Sequence, residues 1–437
     1  MEIGRSEPSC CNEAEGPRPR GQALCGGGGA MFIGMPTCSA QTMPRRGPAV
    51  AAVFHDAFRP FYFGAAVFAA VAVPMWLGMW HHGYFNTTLQ PMVWHAHEMV
   101  FGFGGAVIIG FLFTAARNWT GLPLPTGVPL GIAFALWLAG RVGMFAAYGP
   151  ATAVVDTALL LLGAAVLARK FVRARSYGNM PLVCVLALLG GANAVFHAAE
   201  LGQLGISSIA VAEIGLMLIV LIEMIVGGRV IPGFTANAIP RIRVRRWPWL
   251  QRAALVLAGA ALVSDALLLP PVVRGACALY AGLALAVQAI GWNPRATCSR
   301  PMIWVLHLAY AWIPVGMVLL GLSAFGLVTR SAAMHAFAAG SMGGLIIGMM
   351  ARTALGHTGR VVRAGRWEWT AFVLVHVAAL IRVAASLVPW EGLGAGDVYA
   401  WVLLVSGIAW SAAFMTFAIA YAPVLLGPKA TDARVRA

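Results

Sequence analysis

The chain has 437 residues, 60% hydrophobic and 10% charged, with a formal net charge of +15. Soluble domains carry about 25% charged residues, so this composition excludes a soluble globular protein and points to a polytopic membrane protein. The basic residues fall in short loops between apolar segments, so they are read as orientation signals and nucleic acid is excluded as a partner.

Residues 1–50 are rich in Gly, Pro and Arg and lack the continuous apolar core of a signal peptide. They are expected to form a disordered cytoplasmic leader. Met31, Met35 and Met43 offer later starts, so an over-extended start is an alternative reading of residues 1–42. Of the seven cysteines, Cys10, Cys11, Cys25 and Cys38 lie in this leader. None of the seven forms a CxxC pair or another zinc spacing.

Residues 51–437 are expected to form a single twelve-helix membrane domain. Its apolar segments cover approximately 60–80, 94–116, 128–148, 151–168, 180–200, 206–227, 250–269, 272–291, 301–325, 333–351, 369–389 and 398–426. Each is long enough to cross a bilayer as a helix. The loops after segments 2, 4, 6, 8 and 10 carry one, four, six, two and four basic residues, seventeen in all. Those after the odd segments carry only Arg274 and Arg330. This bias puts both termini in the cytoplasm, and a bacterial inner membrane is the expected location. Arg141, Asp156, Glu213, Glu223, Asp265 and Arg382 fall inside segments and must find partners in the bundle interior or a wet cavity. Arg141 is expected to pair with Asp156, and Arg382 with a facing glutamate.

The second segment opens with His95, His97 and Glu98, then runs uncharged to Arg117. Sliding the chain by 238 positions lays it on the tenth. His97 then meets His335, and Gly102, Gly105, Ile108, Ile109, Gly110, Ala116, Thr120 and Gly121 also meet identical residues. Both copies would cross from outside to inside, a parallel repeat about an axis along the membrane normal. Such an axis could set His97 opposite His335.

The alternation of loops sorts the ten histidines by depth. His95, His97, His197 and His335 share the outer layer with Glu98, whereas His307 and His357 belong to the cytoplasmic half. Imidazoles ligate iron, copper and zinc, and two opposed imidazoles suit a haem b. His95 and His97 differ by about 200° around a helix, so they serve different centres. His97 and His335 are the haem axial candidates. His95 and His197, with Glu98, are the copper candidates, and His307 and His357 a weaker second site.

Five stretches carry a resemblance: Phe58-Arg59-Pro60-Phe61; the block from Trp94 to Gly121; Gly228-Arg229-Val230-Ile231-Pro232 with Phe234-Thr235; WVLHLAYAW at 304–312; and HAF to ARTALGHTGR at 335–360. They resemble the NnrS family of bacterial membrane proteins, over about residues 55–425. The resemblance implies twelve spans, haem and copper, and a part in nitric oxide metabolism or protection from nitrosative stress, associated with denitrification. Nitric oxide and membrane lipid are the expected partners, with an electron donor or a denitrification enzyme besides. A secondary transporter, or an accessory factor for assembly of a denitrification enzyme, is the alternative function.

Overall fold

In the computed structural model, residues 52–85, 87–390 and 395–430 are described; the leader of residues 1–50 lies outside them. The described residues form helices and connecting turns, with no strand among them. There are twelve helical segments. These are α1 (Phe58–His82), α2 (Pro91–Thr120), α3 (Val128–Ala146), α4 (Pro150–Arg173), α5 (Met180–Glu200), α6 (Ser208–Ala238), α7 (Pro248–Ala266), α8 (Pro271–Gly291), α9 (Pro301–Ala324), α10 (Arg330–His357), α11 (Arg366–Leu387) and α12 (Gly396–Leu425). The boundaries follow local chemistry. Proline stands in the first turn of α2, α4, α7, α8 and α9, where its missing N–H is one the helix leaves unpaired anyway. Gly83 and Gly121 close α1 and α2 at φ of 63° and 66°, a left-handed conformation that residues with a Cβ rarely adopt.

Eleven of the twelve are long and apolar enough to cross a membrane. The exception is α7, whose apolar middle is diluted by Gln251, Arg252 and Asp265 near its ends. It nevertheless lies along about half of α6. Gln251 packs at Gly228, while Asp265 shares Arg330 with Glu213. Residues 213 and 228 of α6 are about 22 Å apart at about 1.5 Å per residue.

The centre of the bundle is α2 and α10. Within their apolar windows 89% and 78% of the residues are buried, against 28% for α3. Both central helices widen at corresponding places. Hydrogen bonding turns π-helical over Glu98–Gly104 in α2 and Ala336–Gly343 in α10, each directly after a histidine. The two π segments begin 238 positions apart, the offset at which the sequences match (98 to 336). Such widened turns inside an α-helix frequently sit at functional sites.

The intramembrane charges find partners as expected in most cases. Arg141 pairs with Asp156, Glu213 and Asp265 with Arg330, and Glu223 with the hydroxyl of Ser341 at 2.5 Å. Arg382 does not meet a glutamate among the described residues; its guanidinium donates instead to Ser386 Oγ at 2.6 Å and Ser331 Oγ at 3.3 Å. At the opposite end of α1, buried Arg59 donates to the carbonyls of Leu425 and Gly427 at 3.1 and 2.6 Å. A cation there satisfies acceptors that the C-terminus of α12 leaves open.

Candidate metal centre and an adjoining chamber

His97 ends the first α-helical stretch of α2, and Glu98 opens the π segment behind it. Both are fully buried. The next three helices bring their polar groups to this point. α3 contributes Arg141, α4 contributes Asp156, and α5 contributes Asn193 and His197, four residues apart and so on one face. Close approach depends on missing side chains: a Cβ on Gly102 would run into Arg141 and Glu98, and one on Gly140 would strike the Asp156 carboxylate.

The ring of His97 lies between two carboxylates, with Nδ1 3.1 Å from Glu98 Oε1 and Nε2 3.0 Å from Asp156 Oδ2. The same Asp156 oxygen lies 3.1 Å from His197 Nε2 and accepts from Asn193 Nδ2 at 2.7 Å. Asn193 Oδ1 is 3.0 Å from His97 Nε2, and Tyr148 OH stands 3.3 Å from His197 Nδ1. Arg141 spans the two acids, donating to Glu98 Oε2 at 2.8 Å and to Asp156 Oδ1.

Two carboxylates thus face one guanidinium. With neutral imidazoles, the cluster keeps one unbalanced negative charge in the buried interior. A neutral imidazole also has one N–H, so only one of the two carboxylates flanking His97 can receive a proton from it. A buried charge left unbalanced costs several kcal/mol, so the geometry calls for one more cation. A metal ion or a proton on His97 supplies it. The ligand atoms of His97, Asp156 and His197 all lie within 4.8 Å of one another, and among the described residues this is the group of histidine, cysteine and acidic side chains that could hold a metal. Two imidazole nitrogens with a carboxylate oxygen suit zinc, copper or iron.

His95 points elsewhere, as about 200° of rotation requires. Its ring stacks on Trp76 at 4.3 Å and lines a chamber of about 80 Å³ with His335, Met99, Arg382 and Trp410. His335 Nδ1 donates to the carbonyl of Ser331 at 2.8 Å. That bond leaves Nε2 as the unprotonated nitrogen of a neutral ring. Two polar atoms of the wall, His95 Nδ1 and Trp76 Nε1, are buried without a hydrogen-bond partner.

The four outer-layer histidines therefore divide as His97 with His197 and His95 with His335. Both nitrogens of His97 are engaged in its own cluster, and His335 lines the chamber with His95 rather than with His97. The proposed copper set of His95, His197 and Glu98 is likewise divided, with His95 in the chamber. His307 and His357 also part company. His307 Nε2 meets Thr235 Oγ1 at 2.8 Å, while His357 packs on Phe58 in a pocket with His55, Asp56 and Arg117. Asp156, Asn193 and Arg141 are the cluster members that sequence reading leaves out as ligands or supports. The available signals were an aspartate inside an apolar segment and the four-residue spacing of Asn193 and His197.

An all-helical polytopic protein with a buried histidine and carboxylate cluster between α2, α3, α4 and α5 is the class that fold and site define. The family model described as NnrS protein matches residues 52–429, and the chain belongs to the NnrS family. No curated protein matches it. Family membership suggests a role in the response to nitric oxide.

Proposed function

We propose that this protein is a copper-binding protein of the bacterial inner membrane that acts in nitric oxide metabolism or protection from nitrosative stress, with both termini cytoplasmic. The observation that carries the reading is the convergence of His97, Asp156 and His197, whose ligand atoms lie within 4.8 Å of one another in the buried interior. His97 and His197 would present imidazole nitrogens to the metal, and Asp156 one oxygen, its other oxygen being held by Arg141. Glu98 accepts from His97 Nδ1, fixing the tautomer that leaves Nε2 free to ligate. Asn193 donates to Asp156 and Tyr148 stands beside His197 Nδ1, so the two orient those groups. Copper bound there would supply one-electron chemistry and a coordination position for nitric oxide.

The haem b that the resemblance implies has donors in His95 and His335, with Arg382 beside them. They share one chamber of about 80 Å³ with Trp76 and Trp410. Two assays on purified full-length protein separate the cofactors. Elemental analysis is expected to find copper, retained through size exclusion and reduced in His97→Ala and His197→Ala. A pyridine haemochrome assay reports haem independently. Metal-free protein after expression in copper-supplemented medium would end the copper reading.

A further inference from the structure

The chamber beside the metal cluster has the opposite electrostatic demand. Its wall carries the guanidinium of Arg382, and among the described residues no carboxylate lies within ion-pair distance of it. Asp397, the nearest acid in the chain beyond it among the described residues, lines a different groove with His81 and His82. Arg382 is held by the hydroxyls of Ser386, Ser331 and Tyr399, which orient the guanidinium without neutralising it. The buried indole N–H of Trp76 faces the same space with no acceptor, and His95 Nδ1 is also unpartnered. Two further polar groups of the wall are engaged, His335 Nδ1 with the Ser331 carbonyl and Ser406 Oγ with the Ala378 carbonyl, and much of the remainder is apolar: Met99, Met342, Ala338, Ala339. A cation and a free N–H donor in an apolar enclosure inside a membrane bundle are costly alone and are stabilised together by one negative charge that accepts hydrogen bonds.

We propose that this chamber binds a small monovalent inorganic anion of the nitrite class, with Arg382 as counter-charge and the Trp76 N–H as hydrogen-bond donor. At about 80 Å³, the chamber has room for a small inorganic ion. Charge sets the valence, since one guanidinium balances one unit. The site needs no metal, so it stands or falls apart from the copper reading. It lies two residues along α2 from that cluster, placing an anion site and a cation site on opposite faces of one helix turn.

The test is calorimetric titration of sodium nitrite into purified full-length protein stripped of metal by chelator and kept in chloride-free buffer. Saturable binding at one ion per chain is expected, with competition by azide and none by sulfate. Trp76→Phe is expected to weaken binding by about tenfold, the loss of one hydrogen bond to a charged partner. Arg382→Gln is expected to abolish it and Arg382→Lys to retain part of it; if Arg382→Gln does not fold, Trp76→Phe and Arg382→Lys carry the comparison. The proposal is overturned if metal-free protein shows no saturable nitrite binding. Equal binding of sulfate, or undiminished binding in Trp76→Phe and the Arg382 variants, also overturns it.

Discussion

Asp156→Asn separates the metal account from the stability of the bundle. Asp156 Oδ2 faces His97 Nε2, His197 Nε2 and Asn193 Nδ2 at 3.0, 3.1 and 2.7 Å, while Oδ1 takes Arg141. An asparagine keeps a carbonyl oxygen for Arg141 but removes the unbalanced charge and presents an amide N–H₂ to Asn193 and the rings. Losing a partner outside the ligand set typically costs about 10–100-fold in metal affinity, so losing the ligand itself should cost at least the upper figure, roughly 2.7 kcal/mol. The fold should survive better. Arg141 still has Glu98 at 2.8 Å, so no charge is stranded. The loss should therefore stay below the ~3–5 kcal/mol of breaking a buried pair. Arg141→Met is the contrasting perturbation, because it strands both carboxylates and should incur that full loss. Copper affinity from competition with a chelator of known strength, together with thermal unfolding in detergent, reads both quantities. Asp156→Asn binding copper as tightly as wild type would refute the assignment of Asp156 as a ligand, and Arg141→Met as stable as wild type would refute the charge accounting.

Other substitutions follow from the same packing. Gly102→Ala places a methyl against Arg141 and Glu98. It should destabilise by about 1–3 kcal/mol, seen as a lowered melting temperature. Arg59→Gln removes a cation from two carbonyls at the end of α12. That should cost about 1.5–3 kcal/mol, with proteolysis near residue 427 as a local readout. Asp56 lies before α1. Burial alone would raise its pKa, but Lys429, His55 and Arg59 outweigh that and hold it below the ordinary 3.8. A lowered folded-state pKa means stability present above the unfolded value and lost as pH falls through the folded one. Melting temperature against pH should therefore fall below about pH 4 in wild type, and by less in Asp56→Asn.

Much of the architecture was legible because bilayer length and loop charge are properties of the sequence itself. Twelve apolar stretches became twelve helices, and the expected pairing of Arg141 with Asp156 is present. Spacing also separates His95 from His97, since two residues along a helix point nearly opposite ways. Grouping across helices was not legible. His97 and His335 occupy matching positions, and a shared axis suggested that they face each other. Instead each looks toward its own following helix: His97 toward the arginine-bearing face of α3 through Glu98, His335 toward Arg382 on α11. Matching positions in two sequence stretches need not share a contact. The role of Asp156 depends on α4 and α5 packing so that its second oxygen meets two imidazoles, and no spacing along the chain encodes that. The expected glutamate partner of Arg382 failed for the same reason, since a facing side chain is decided by helix rotation.

Pulsed electron paramagnetic resonance of the copper-loaded full-length protein tests the central claim most directly, because remote imidazole nitrogens leave a countable modulation. The account predicts coupling to two histidines in wild type, one in His97→Ala and one in His197→Ala, with His95→Ala and His335→Ala unchanged. Loss of histidine coupling in His95→Ala or His335→Ala, with the His97 and His197 variants unaffected, would contradict it.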